Sequence, residues 1–319
     1  MIIVPKVSVV VPAYNVRNYI QDALLSLERQ SLQEFEVLIV DDGSTDNTPE
    51  VVKPYVEKDP RFRLLQKPNG GLSSARNYGI SHARAEYIAL LDGDDIYHPD
   101  KLVNHVARLD SSPKVGVVYS ASQAIRDDGS PTFISLSGKP VKSNQLLALL
   151  CKNFVGHGSN AVFRRCLVEE IGEFDEGLRS SEDIDFWLRV AAKQKWQFYR
   201  EKHILCYYRV RPSGLSFNVT QMQSCNQQVI EKAYKSSPEI IEPMLPTAYA
   251  YMYRYLARLC LQGGDVKKAR NFIDKAWKYD RSIFYCDVRS FLTLLFVHLA
   301  PLAKFGIRYS LGKIESSSR

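Results

Sequence analysis

A doubly wound, mostly parallel α/β sheet followed by an all-helical extension is the fold this sequence predicts, and three observations predict it. Short apolar, β-branched runs alternate four times with segments of helical period over the first hundred residues. Several runs stop abruptly in carboxylates, glycine or proline, as buried strands do at the edge of an open sheet. Beyond Phe217 the periodicity is helical throughout. A domain at 1–216 and a helical extension at 217–319 are therefore expected.

The first predicted strand is Val7-Ser8-Val9-Val10-Val11, closed by Pro12, with Ala13-Tyr14-Asn15 as the following loop. Between Val16 and Gln30 the residues Ile20, Ala23, Leu24 and Leu27 keep helical spacing. Phe35 to Val40 is the second strand; it ends in Asp41-Asp42-Gly43, with Ser44 to Asp46 suited to capping the next helix. Arg61 to Gln66 is the third. The glycine-bearing turn Lys67-Pro68-Asn69-Gly70-Gly71 then leads into a helix carrying Arg76. Tyr87 to Leu91 is the fourth strand, ending in Asp92-Gly93-Asp94-Asp95.

After Pro99 a helix to about Leu109, a strand over 115–120 and a hairpin turn at Asp127-Asp128-Gly129-Ser130 are expected. A helix over 143–152 precedes the loop Gly156-His157-Gly158-Ser159-Asn160, whose histidine reads as a surface residue, with a substrate contact as the alternative. Ser180 and Asp183 fit a capping box for a helix whose inward face is Ile184, Trp187, Leu188 and Ala191. Two strands, 196–199 and 204–210, complete the first region. In the extension, Tyr249, Tyr253, Leu256, Ala257 and Leu261 repeat at helical spacing up to Gly263-Gly264-Asp265, and Ala269, Ile273, Ala276 and Trp277 follow, an αα-hairpin. The apolar run from Phe291 to Ala303 falls short of the roughly 20 residues a span requires. It reads either as an interfacial segment backed by Lys304, Arg308 and Lys313 or as a buried terminal helix.

Composition narrows the class. The chain has 319 residues, 45% hydrophobic and 24% charged, as in ordinary globular proteins. Its formal charge of +7 is unevenly placed: residues 238–319 hold 13 Lys/Arg against 7 Asp/Glu, and the first 237 hold 29 against 28. A basic tail suits an anionic membrane surface or a polyanion, or is a solvated face. A nucleic-acid partner is not expected. Six dispersed cysteines without a C-x-x-C argue against a zinc site or a disulfide framework and suit a reducing compartment. The N-terminus lacks the basic and small-residue features of a secretory signal.

The chemistry lies at the strand ends. Asp92, Asp94 and Asp95 repel one another and call for a cation; a hard divalent ion, Mn2+ or Mg2+, holding a phosphate-bearing substrate would supply it, and a polar turn capping the next helix is the alternative. Backbone N–H groups at the Asn69-Gly70-Gly71 turn, with Arg76 one turn on, favour a diphosphate, although a plain Asn-Gly turn gives the same pattern. Glu182 and Asp183 suit a helix first turn, and one of them equally suits a general base on a rigid helix start.

Five segments in order, Val9 to Asn15, Val40 to Asp46, Asn69 to Gly79, Leu91 to Asp95 and Ser181 to Asp183, resemble glycosyltransferase family 2 over roughly Lys6 to Ser216. The resemblance implies a GT-A type, Rossmann-like fold and inverting transfer from a nucleotide-diphosphate sugar, a UDP-sugar favoured, to a glycan or lipid-linked acceptor. It implies that Pro12, Ala13 and Tyr14 line the nucleotide pocket, that Asp41 bonds the base, and that Asn69, Gly70, Gly71 and Arg76 lie by the diphosphate. Asp92, Gly93 and Asp95 would approach the ribose or sugar, Asp94 would ligate the metal, and Asp183 would be the base with Glu182 beside it. Where such enzymes often carry a metal-binding histidine, this chain has Arg211, which can pair with a diphosphate but cannot ligate a metal. A nucleotidyltransferase would need a glycine-rich loop after the first strand, which Pro12-Ala13-Tyr14 lacks; a degenerate scaffold sits poorly with intact Asp41, Asp94 and Asp183. The expected place is the cytoplasm, either free or peripheral at the inner face of the membrane.

Overall fold

The computed structural model describes residues 4–136, 140–141, 144–211 and 218–299. The alternation expected at the start is present as β1 (Val7–Ala13), α1 (Ile20–Glu28), β2 (Phe35–Asp41), α2 (Thr48–Lys58), β3 (Phe62–Gln66), α3 (Leu72–Ser81) and β4 (Tyr87–Leu90). There follow β5 (Ile96–Tyr97), α4 (Lys101–Ser111), β6 (Val115–Ile125), β7 (Pro131–Ser135), α5 (Gln145–Cys151), β8 (Val162–Arg164), α6 (Cys166–Ile171), α7 (Glu182–Ala192) and β9 (Gln197–Arg209). The strands form one sheet in the order β3-β2-β1-β4-β8-β6-β9-β5, with β7 paired to β6. β3, β2, β1 and β4 are mutually parallel, as are β6 and β9, whereas β8 runs antiparallel to both β4 and β6.

β1, β2 and β4 are buried at every position, which is why they read as continuous apolar runs. Val7, Val9 and Val11 of β1 pack with Ile20, Leu24 and Leu27 of α1 and with Leu102 and Val106 of α4 on one face. On the other face α3 comes so close that a Cβ at Gly79 would run into Val10 and Val40. Gly79→Ala is therefore expected to destabilise by ~1–3 kcal/mol of overpacking, outweighing the gain of about 1 kcal/mol in helix propensity. A lower urea midpoint at unchanged m-value checks this; a raised midpoint contradicts it.

Two details of the expected layout are corrected. The strands expected at 196–199 and 204–210 are the single strand β9, whose ladder with β6 shifts register around Ser120 and Ala121. The irregularity lets the exposed Lys202, His203 and Ile204 stay within the strand. The capping box at Ser180 does not form: Ser181 is the N-cap residue in a left-handed conformation (φ 61°) with no side-chain cap bond.

The chain divides into two compact units, Met1–Pro243 and Met244–Arg319. The boundary expected at 216/217 falls within 212–217, outside the described residues. α8 (Val219–Ser236) and α9 (Pro238–Ile241) belong to the first unit, where Lys232 of α8 pairs with Asp175 at 2.5 Å and Asp185 of α7 at 2.7 Å. The second unit contains α10 (Leu245–Gln262), α11 (Val266–Tyr279), α12 (Ile283–Cys286) and α13 (Val288–Leu299). Its α10–α11 pair is the expected hairpin: Asp265 after the two glycines accepts from Lys268 N and caps α11, and Tyr253 stacks on Phe272.

Candidate active site

Parallel register places the acidic strand ends side by side. Ala13 is paired with Asp41, and Asp41 with Gln66, while Val10 pairs with Leu90, so Asp92 emerges on the same edge. The chain's winding reverses between β1 and β4, the switch point at which open α/β sheets form their crevice. Pro12 and Ala13 are buried there, and Tyr14 beyond them is exposed. Asn15, in a left-handed conformation (φ 52°), accepts from Thr45 N (2.8 Å) and Asp46 N (3.2 Å), tying the loop after β1 to the loop after β2. Asp41 is buried and accepts from Ser44 N at 3.0 Å and Gln66 Nε2 at 3.3 Å.

The Asn69-Gly70-Gly71 turn differs from expectation. Its donors already hold an anion, the carboxylate of Asp42, which accepts from Gly70 N (3.0 Å), Gly71 N (2.8 Å) and Lys67 Nζ (2.7 Å). The positive end of α3 is thus neutralised from within the chain.

Arg76 of α3 organises the centre. Only 1% exposed, it donates through Nη1 to Glu182 Oε1 at 2.5 Å and through Nη2 to Asp92 Oδ1 at 2.8 Å. Burial disfavours its charge, but Asp92 and Glu182 prevail and hold its pKa above the ordinary arginine value. One guanidinium thereby joins the end of β4, the start of α3 and the start of α7. Gly158 permits this, because a Cβ there would strike the guanidinium.

The three carboxylates after β4 have separate fates. Asp92 pairs with Arg76. Asp94 pairs through Oδ2 with Arg211 Nη2 at 2.5 Å; burial raises its pKa, Arg211 opposes the rise and Asp92 adds to it. Asp95, expected beside the donor, is fully enclosed and accepts from Ser159 Oγ (2.6 Å) and Arg209 N (2.9 Å), so its carboxylate braces the loop. Burial and then the charges of Asp94 and Asp92 push its pKa well up. Gly93 leaves room for Val16 and Ile20, and a Cβ there would also approach Pro12 O.

His157 is buried rather than on the surface. Its Nε2 lies 2.6 Å from Ser122 Oγ and its Nδ1 3.6 Å from Asp95 Oδ2, and desolvation drives its pKa down to about 3. The loop around it supports the acidic turn: Ser159 Oγ also accepts from Asp92 N at 3.0 Å.

At the start of α7, Asp183 accepts from Asn153 Nδ2 through Oδ2 and from Ile184 N through Oδ1, both at 2.8 Å. Burial, with Glu182's charge second, raises its pKa to about 7 despite the opposing Arg76. A carboxylate so tuned can take a proton near neutral pH. Sequence reasoning missed Asn153, Ser159 and Arg209. Arg209 donates to Asp94 O (2.8 Å), Asp127 O (2.6 Å) and Asp22 Oδ2 (2.7 Å) and lies, like Arg211, against the Tyr19 ring. No local spacing signals such partners.

Acidic residues thus gather at the switch point of the sheet, joined through Arg76 to the start of α7. Residues 8–172 match the family "Glycosyl transferase family 2", and the chain belongs to it. It is 33% identical over 220 residues to the uncharacterized glycosyltransferase EpsJ of Bacillus subtilis, covering 67% of this chain and 63% of that one. It is 32% identical over 207 residues to a hyaluronan synthase of Pasteurella multocida, covering 65% of this chain and 20% of that protein. The chain thus spans less than two thirds of these relatives. Among solved structures it is similar to the mannosyltransferase PcManGT from Pyrobaculum calidifontis in complex with GDP-Man and Mn2+ (TM-score 0.62, 22% identity, 95% of this chain and 81% of that one). It also resembles S. aureus TarS 1–349 in complex with UDP-GlcNAc (TM-score 0.56, 20% identity, 86% and 92%). At these identities the likeness establishes the GT-A-like fold.

Proposed function

We propose that this glycosyltransferase moves a sugar from a nucleotide-diphosphate donor to a hydroxyl of a glycan or lipid-linked acceptor with inversion at the anomeric carbon. The observation that carries the reading is the Arg76 bridge: it links Asp92, on the edge where a donor would lie, to Glu182, beside a carboxylate tuned to about 7. Asp183 takes the proton of the acceptor hydroxyl as its oxygen attacks the anomeric carbon. Glu182 keeps Arg76 in place, and Asn153 orients Asp183. Pro12, Ala13 and Tyr14 line the nucleotide pocket with Asp41 toward the base, and the Asn69 to Gly71 turn forms its floor. Arg211, freed from Asp94, would pair with the diphosphate as negative charge develops on the leaving group.

A divalent cation fits this donor set as a site completed by the substrate. Asp94, largely buried and paired with Arg211, is a hard ligand that a cation would reach by displacing that arginine, and among the described residues no cluster of three or more His, Cys, Asp or Glu could enclose a metal. One carboxylate with water and donor phosphates is a common arrangement for Mg2+ and serves Mn2+ equally. When bound, the ion supplies Lewis-acid stabilisation of the departing diphosphate. The Mn2+ named for the mannosyltransferase neighbour supports the reading.

Thermal shift with UDP-, GDP- and dTDP-sugars, with and without Mn2+, tests it. A donor at a hundredfold excess over its Kd adds about 2.7 kcal/mol, a rise of several degrees in Tm. One nucleotide class is expected to give that rise only with metal, and Asp94→Asn to abolish it. No shift with any donor contradicts the proposal.

A further inference from the structure

The terminal helix α13 is built inside out. The residues it turns inward are Ser290, Thr293 and Val297, whereas Val288, Phe291, Leu292, Leu295 and Leu299 face solvent at i, i+3, i+4, i+7 and i+11, with Val288 72% and Phe291 50% exposed. The inward polar groups are satisfied: Ser290 Oγ donates to Asp287 Oδ2 at 2.7 Å and Thr293 Oγ1 to Arg289 O at 2.7 Å. Nothing about the inner face therefore forces the apolar side out. Beside the stripe, α11 and α13 enclose an open groove of about 470 Å3 that includes Ile273, Trp277 and Leu294. A contiguous exposed apolar surface of this kind marks a contact with something apolar.

The rim identifies the occupant. Trp277 lines the groove and its ring lies 6.2 Å from that of Tyr285; Lys278 and Arg281, which follow it in the chain, and Arg289 of α13 are exposed, as is one carboxylate of the groove, Asp274. Across residues 244–319 the sequence carries 13 Lys/Arg against 5 Asp/Glu. A flat apolar stripe edged by amphipathic aromatics and cations complements the headgroup and acyl boundary of an anionic bilayer. No helix among the described residues is long and apolar enough to cross a membrane.

We infer that α13, with the α11 edge beside it, is a docking surface for an anionic lipid membrane on which it lies in the plane of the interface. This does not depend on the transferase chemistry. The test is flotation of the full chain with vesicles of phosphatidylcholine alone or with a quarter phosphatidylglycerol, at 0.1 and 1 M NaCl. Binding to the anionic vesicles is expected, at least about tenfold weaker without the anionic lipid or at high salt. The exposed double variant Val288→Asp/Phe291→Asp should lose it while keeping its helicity and Tm. Independently of the double variant, brominated lipids should quench tryptophan emission in the unmodified chain and not in Trp277→Phe, which keeps Trp187 and Trp196. The inference is overturned if the chain binds neither vesicle, if binding survives the double variant, or if sedimentation shows the stripe consumed in a dimer that the same variant dissolves.

Discussion

Replacing Asp183 by Asn is expected to lower kcat by about 10²–10⁴-fold, the usual contribution of a positioned general base, while donor affinity stays within about threefold. Asn keeps the size of the side chain and one acceptor oxygen, enough for the bond from Ile184 N, but cannot take the acceptor's proton. The parent enzyme's pH profile carries the companion expectation. Burial and the charge of Glu182 raise the Asp183 pKa to about 7, so below that pH the base is protonated and kcat/KM falls about tenfold per unit; above it the rate is level. Asn153 donates to the ionised carboxylate and so favours it; Asn153→Ala should move the ascending limb to higher pH. An unshifted limb, or Asp183→Asn activity near the parent's, would remove Asp183 from the role.

Arg76→Ala should be the most damaging change to stability. Arg76 is enclosed between Asp92 and Glu182, and its loss leaves the buried Glu182 and the partly exposed Asp92 without their counter-charge, a cost of about 3 kcal/mol or more. Urea unfolding reads that loss directly. Arg76→Lys should recover only part, because an ammonium has no planar fork with which to meet carboxylates on two different elements. If Arg76→Ala unfolds within about 1 kcal/mol of the parent, the guanidinium does not hold the centre together.

The α/β alternation was legible because doubly buried strands such as β1 and β2 need uninterrupted apolar runs, and the acidic turns were legible because carboxylates must break those runs at the sheet edge. What escaped was set by distant partners. Arg76 and Glu182 are 106 residues apart and Asp22 and Arg209 are 187 apart, so no window of sequence holds both halves of either pair. His157 looked exposed between two glycines, yet its ring is buried against Ser122, Asp95 and Tyr208, partners 35 to 62 residues away in the chain. The single strand β9 was hidden by its exposed polar middle, which only its shifted pairing with β6 accommodates. The donors of the Gly70–Gly71 turn are held by Asp42, a partner 28 residues upstream that no local reading of the turn includes.

The central claim, a single displacement at this site, is tested most directly by proton NMR of the sugar first released when the enzyme slowly hydrolyses its α-linked nucleotide donor without acceptor. Appearance of the β anomer before mutarotation, absent with Asp183→Asn, is the predicted result. The α anomer appearing first would mean retention and would contradict the account.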